Sequence, residues 1–156
     1  MGFGIWPANQ LGGIYDAKGN PFEAPIKSAI LVPILSSVAN PSGGTRIGLF
    51  ESSVQVVGSK LAIGTDVVIA QPGTYRLEGW TGRFTGSAGQ VVTTVVDAVL
   101  GSGFIAGRAE HDDGRTVPAR NLVTITEETS FEFRISSGPG SGTLAASGAS
   151  FFVQEV

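Results

Sequence analysis

The chain contains no cysteine and a single histidine. Disulfide bonds and thiolate metal ligands are therefore excluded, and so is a site built from several histidines of one chain. Charged residues make up only 15% of the chain, whereas an average soluble domain has about 25%. The net charge is −3 and the 10 basic residues are scattered, which disfavours nucleic-acid binding because that function normally needs a clustered basic face.

Long apolar runs are also missing. The longest one, residues 29–35, is interrupted by Pro33 and is far too short to cross a bilayer. The first ten residues lack the charged region and the long apolar region of a secretory signal. We therefore expect a soluble protein that is not processed at this end and has no membrane partner.

Glycine and β-forming residues are abundant instead. The chain has 23 glycines, roughly twice ordinary usage. Residues 66–84 show the pattern most plainly, since an apolar run is broken at Pro72-Gly73 and is followed by strict alternation. One predicted face carries Tyr75, Leu77 and Gly79, and the other carries Arg76, Glu78 and Trp80.

Similar segments flank this central unit and predict an all-β fold. Strands are expected at residues 27–35, 46–51, 90–100, 104–110, 121–125, 129–136 and 149–156, and 54–57 with 60–63 are expected to form a hairpin around Gly58-Ser59. About eight to ten short strands separated by Gly-, Pro- and Ser-rich turns are typical of a sandwich or jelly roll. We therefore predict a jelly-roll-like two-sheet sandwich over residues 28–156.

Residues 1–27 form a region of a different kind. Their density of glycine and proline prevents a helix, yet disordered tails are poor in aromatic residues. We predict an extended N-terminal arm that lies on its own domain, on a neighbouring subunit or on a larger surface, and these three alternatives stay open. The side chains expected to make the contact are Phe3, Ile5, Trp6, Leu11 and Tyr15.

Two predicted strands, residues 90–100 and 149–156, are apolar on both faces. Only one face of each sheet meets the core of a sandwich, so the second face needs a cover. The arm or a loop would supply one, and scattered exposed aliphatic side chains are also ordinary. With so little surface charge we favour self-association. The predicted oligomer interface consists of Val91, Val95, Val99 and Phe152.

Residues that carry chemistry are sparse. Residues 110–113, Glu-His-Asp-Asp, fit a solvated turn better than a metal site, because the alternating acidic positions of a calcium loop are absent. Three copies of His111 around a three-fold axis remain a minor option. Glu127 and Glu128 are adjacent and would point to opposite faces, so they do not form a glycosidase pair. No nucleophile elbow or phosphate loop is present. We expect no catalytic residue, metal or cofactor, and hence no enzyme.

Trp80, with Arg76 and Glu78 on the same predicted strand face, has two interpretations. An aromatic ring among polar side chains is a possible platform for a carbohydrate. An outward polar face with one aromatic residue, or a contact between subunits, is the commoner case and is favoured here.

Three segments carry a family resemblance: Gln71-Pro72-Gly73-Thr74-Tyr75-Arg76-Leu77, residues 131–135 and residues 147–153. Together they resemble the TNF/C1q-like jelly roll over residues 45–156, including bacteriophage virion proteins of this fold. The resemblance implies a homotrimeric head decoration (cement) protein on the outer capsid surface of the virion. Its partner would be the major capsid protein, and the arm residues would contact the shell. The alternative is a receptor- or glycan-binding tail-fibre or tail-tip module, and a glycan hydrolase ranks third.

Overall fold

The computed structural model describes residues 14–15, 21–22, 26–51, 54–98, 108–111 and 118–156. Within these ranges the secondary structure consists of β-strands, and no α-helix is present. None of the described residues therefore forms a helix with the length and hydrophobicity needed to cross a membrane. The expectation of an all-β chain is confirmed.

The strands are short and follow one another closely, as the spacing of the glycine- and proline-rich turns predicts. In chain order they are β1 (Ile14–Tyr15), β2 (Pro21–Phe22), β3 (Ala29–Pro33), β4 (Val38–Ala39), β5 (Gln55–Val57), β6 (Leu61–Gly64), β7 (Val67–Ala70), β8 (Gly73–Trp80), β9 (Phe84–Thr85), β10 (Val92–Ala98), β11 (Arg108–His111), β12 (Ala119–Ile125), β13 (Thr129–Ser137), β14 (Thr143–Leu144) and β15 (Ser150–Glu155).

Two five-stranded antiparallel sheets form the body of the domain. We call β12-β8-β15-β3-β5 the front sheet and β11-β10-β13-β7-β6 the back sheet. A three-stranded sheet, β9-β14-β4, lies beside them, and β1 pairs with β2.

The pairing of the eight principal strands identifies the topology. In chain order these strands are β3, β7, β8, β10, β11, β12, β13 and β15. The first pairs with the last (β3 with β15), the second with the seventh (β7 with β13), the third with the sixth (β8 with β12) and the two middle strands with each other (β10 with β11). A long hairpin wrapped around a barrel has this pattern, which is the jelly roll. The predicted jelly-roll sandwich is therefore confirmed.

Alternation along the strands builds the core. Tyr75 and Leu77 of β8 are fully buried, as are Phe131 and Phe133 of β13 and Phe151 of β15. The Tyr75 and Phe131 rings meet edge to face, with their centroids 5.5 Å apart. Each such side chain contributes about 1.5–3 kcal/mol by leaving water, so the contact between the two sheets is the main source of stability.

Two strand predictions are wrong. Residues 46–51 form no strand and make only a single bridge, between Arg46 and Arg134. The expected hairpin around Gly58 does not form either, because β5 pairs with β3 in the front sheet while β6 pairs with β7 in the back sheet. Gly58 adopts a φ of +77°, and the chain crosses there from one sheet to the other.

The arm is described only in part. β1 and β2 form a short hairpin within it and belong to neither large sheet. Ile26 and Lys27 are exposed and Ser28 is buried. The predicted division between the arm, residues 1–27, and the sandwich, residues 28–156, stays a prediction.

Candidate interaction surface on the front sheet

The outward side of the front sheet, which we call the front face, is assembled from all five strands. Side chains directly opposite each other on neighbouring strands lie on the same side of a sheet. One row across the strands contains Arg120, Glu78, Phe152, Leu31 and Gln55. The next row contains Leu122, Arg76, Gln154, Ala29 and Val57, and a shorter one contains Trp80, Ser150 and Pro33.

The front face is partly apolar. Leu122 is 64% exposed and stands on β12. Trp80 on the adjacent strand β8 is half-buried, and so are Phe152 on β15 and Leu31 on β3. Scattered exposed apolar side chains are normal, and several on one sheet face make that face a candidate contact surface.

The charges at one corner of the front face are paired with one another. The Arg120 guanidinium lies over the Trp80 ring, 5.8 Å from its centroid, and Arg120 Nε lies 3.6 Å from Glu78 Oε2. Trp80 Nε1 donates a hydrogen bond to Glu78 Oε1 over 3.1 Å. Because the arginine side chain is 61% exposed, the ion pair is worth at most about 1 kcal/mol. Its main effect is to hold the three side chains in one arrangement.

The four predicted interface residues are not brought together. Phe152 lies on the front face, whereas Val95 belongs to the back sheet and is fully buried. Val91 precedes β10 and is 40% exposed, and Val99 lies outside the described residues. The interface prediction combined two strands that belong to opposite sheets, and an alternating pattern carries no information about which sheet a strand joins.

Two residues of the front face were missed by the sequence analysis. Alternation along β12 places Ala119 and Ile125 in the core and Arg120 and Leu122 outside. This signal was present in the sequence and identifies Leu122 as an outward apolar residue. That Arg120 stacks on Trp80 depends on the register between β12 and β8, which no local pattern reveals.

The remaining predicted contact and ligand residues cannot be placed on the front face. Phe3, Ile5, Trp6 and Leu11 lie outside the described residues, and of Tyr15 only the backbone pairing with Pro21 is described. Glu110 and His111 end β11, while Asp112 and Asp113 lie outside the described residues. In the parts of the chain whose side chains are described, no group of three or more His, Cys, Asp or Glu residues is placed to hold a metal ion.

A cleft of about 300 Å³ opens where β10 and β12 approach the end of the sandwich. Asp97 and Glu127 are among its lining residues, and two of its polar side chains bond to the local backbone. Asp97 Oδ1 accepts a hydrogen bond from the Ala98 amide over 2.8 Å, and Thr129 Oγ1 donates to the Glu127 carbonyl over 2.9 Å.

Comparison with solved structures agrees with the jelly-roll topology. No protein-family model matches the chain, and no curated protein matches it by sequence. Solved structures do match, among them murine APRIL at pH 8.5, with a TM-score of 0.62 and 13% identity over 84% of this chain and 100% of that one. The chain has the TNF-like jelly-roll fold. Murine APRIL structures at pH 8.0 and pH 5.0 match over the same shares, with TM-scores of 0.58 and 0.62 and identities of 13% and 12%.

At such low identity the likeness shows the fold alone. It confirms the part of the family resemblance that concerned the TNF-like jelly roll. A phage origin, a capsid role and a trimeric state are not tested by it and stay proposals.

Proposed function

We propose that this protein is a non-enzymatic phage head decoration protein, which binds the outer capsid surface as an oligomer and stabilises the shell. The observation that carries the proposal is the front face, where the apolar side chains of Leu122, Phe152 and Leu31 point outward and the Arg120 and Glu78 charges of β12 and β8 are paired with each other. A broad sheet face of this kind suits contact with another protein surface better than capture of a small molecule.

Self-association is the first part of the proposal. Copies of the chain meet through their front faces, which removes Leu122 and Phe152 from water. Each square ångström of apolar surface buried contributes about 25 cal/mol. Closed symmetry is the usual outcome for such homo-oligomers, and the family resemblance implies a homotrimer.

Shell binding is the second part. The aromatic arm, with Phe3, Ile5, Trp6, Leu11 and Tyr15, contacts the major capsid protein. Binding to the assembled lattice alone stabilises that state by mass action. An oligomer presents several arms at once, so that weak single contacts add up through effective concentration.

The experiment uses particles assembled from the major capsid protein encoded by the same phage. Light scattering gives the mass of the full chain, and electron cryomicroscopy of the mixed particles locates it. We expect an oligomer on the outer surface of the shell. A chain lacking residues 1–20 should form the same oligomer but should no longer bind the shell. A truncated chain that decorates normally contradicts the role of the arm. A monomeric, non-binding full chain contradicts the whole proposal.

A receptor- or glycan-binding tail tip is the second candidate, and Trp80 favours it as a half-exposed aromatic ring among polar groups. Against it, the Arg120 guanidinium lies over the indole ring and Glu78 accepts the indole N–H. A sugar would have to displace Arg120 to stack on that side of the ring. Loss of cell-surface or glycan binding in Trp80→Ala would support this candidate over the decoration protein.

A further inference from the structure

Three separate segments of the chain meet at one carboxylate. Glu155, the last residue of β15, accepts a hydrogen bond from the Ser28 amide through Oε1 over 3.0 Å. Its Oε2 lies 2.6 Å from Lys60 Nζ. Ser28 precedes β3, and Lys60 lies in the crossover between β5 and β6. The Glu155 side chain is only 10% exposed, so water competes weakly for these bonds.

Ser28 also accepts hydrogen bonds from the backbone amides of the other two residues. Its Oγ accepts a hydrogen bond from the Lys60 amide over 3.1 Å, and its carbonyl accepts one from the Glu155 amide over 2.7 Å. Gly58 is pressed against the same serine, because a β-carbon on Gly58 would collide with Ser28 Oγ. We call Ser28, Lys60 and Glu155 the anchor cluster.

The anchor cluster sits at a weakly held border of the front sheet. β5 is the outermost strand there and pairs only with Ala29, Ile30 and Leu31 of β3. All three residues of β5 are exposed, so little burial holds the strand in place. Few buried contacts characterise segments that open locally before the whole domain unfolds. The arm enters the sandwich at the same border, through Ile26 and Lys27.

We propose that the anchor cluster is an acid-sensitive latch, in which a proton taken up by the Glu155 carboxylate releases β5 from β3 while the back sheet stays folded. The neutral carboxylic acid no longer attracts the Lys60 ammonium group. The latch controls the border where the arm enters the sandwich.

The charges around Glu155 set the direction of the effect. The hydrogen bond from Lys60, and after it the bond from the Ser28 amide, lowers the pKa of Glu155. The hydrogen bond to Glu155 raises the pKa of Lys60. A carboxyl group with a lowered folded pKa stabilises the fold above its ordinary value of about 4.3. That stabilisation is lost as the pH falls through the lowered folded value.

Two other titratable groups lie near the anchor cluster. Lys27 Nζ is 3.4 Å from the Val156 carbonyl, and its charge favours the ionised form of Glu155. Tyr75 interacts with both charges, and its pKa is raised, mainly by burial. In acid Lys60, whose pKa is raised, stays charged, and Tyr75, whose pKa is also raised, stays neutral, so the proton is taken up by Glu155.

Hydrogen exchange of the full chain, read by mass spectrometry as protection factors between about pH 7 and pH 3, tests the latch. In the wild type we expect residues 27–31 and 55–60 to lose protection in acid before β13 does. Glu155→Gln should lower protection of the same residues about tenfold at neutral pH, because a charge-assisted bond is lost. Lys60→Met, which removes the ammonium group, should lower the protection of these residues by a similar factor at neutral pH. It should also abolish their further loss of protection in acid.

Glu132→Gln is the matched control, since it removes an ion-paired carboxylate of the back sheet whose side chain is 11% exposed and which lies outside both the anchor cluster and the front face. It should leave residues 27–31 and 55–60 as protected as in the wild type. The proposal is wrong if both sheets lose protection together in acid. It is also wrong if these residues keep wild-type protection in Glu155→Gln. If that variant does not fold, Lys60→Met decides by the same comparison.

Discussion

The Phe133 ring occupies the space in which a side chain on Gly79 would begin, because an ideal β-carbon there would lie 2.6 Å from ring carbon Cε1. Gly79 belongs to β8 of the front sheet and Phe133 to β13 of the back sheet. The glycine lets the aromatic ring approach the backbone of the opposite sheet. This contact therefore lies in the middle of the sandwich and contributes to the spacing between its layers.

Replacing Gly79 by alanine is expected to lower the free energy of unfolding by about 1–3 kcal/mol, because overpacking a filled core costs this much. Urea denaturation measures the change. Gly48→Ala is the matched control, since the nearest atom to a β-carbon there is Asp66 Oδ1 at 3.7 Å, an ordinary contact. Equal stability of the two variants would show that Phe133 moves aside at little cost.

Introducing a charge on the front face is expected to dissociate the proposed oligomer. Leu122→Arg should raise the dissociation constant at least tenfold, since an unpaired charge buried in an apolar contact costs more than the roughly 1.4 kcal/mol that corresponds to a tenfold change. Leu122 is 64% exposed in the single chain, so the fold should survive, as circular dichroism would show. Light scattering across a dilution series measures the effect.

Val91→Arg is the comparison for that experiment. Val91 is also exposed but precedes β10, a strand of the back sheet. If Val91→Arg dissociates the oligomer and Leu122→Arg does not, the back sheet carries the contact and the front-face assignment is wrong.

The stacking of Arg120 on Trp80 is expected to be measurable as a coupling energy. A double-mutant cycle with Arg120→Met and Trp80→Leu should give about 0.5–1 kcal/mol in favour of the pair, the value for an exposed cation over an aromatic ring. Thermal or urea unfolding supplies the four stabilities. A coupling of zero would mean that Arg120 leaves the ring open, which would strengthen the glycan-binding alternative.

Much of the architecture was readable from local pattern. Alternation placed Tyr75 and Leu77 on one face of β8 and Arg76 and Trp80 on the other, and the structure buries the first pair and exposes the second at least in part. This works because the side-chain period of a strand is two residues whichever sheet the strand joins. The resemblance to the TNF-like jelly roll then supplied the topology, which the strand pairing confirms.

The candidate surface was less readable, and the reason is physical. Phe152 and Val95 both looked like outward apolar residues, but they lie in opposite sheets and Val95 is fully buried. The hairpin expected at Gly58 does not form, because β5 and β6 also belong to opposite sheets. Local turn chemistry marks where a chain reverses, but not which neighbour the next strand will pair with.

Side-chain type and a two-residue period were enough to predict the class of the fold, the two faces of its strands and the absence of thiol chemistry. Which strands become neighbours depends on packing in three dimensions. The stacking of Arg120 on Trp80 and the meeting of Ser28, Lys60 and Glu155 join residues far apart in the chain. Such contacts follow from the register between strands, which is set by the packing of the whole core.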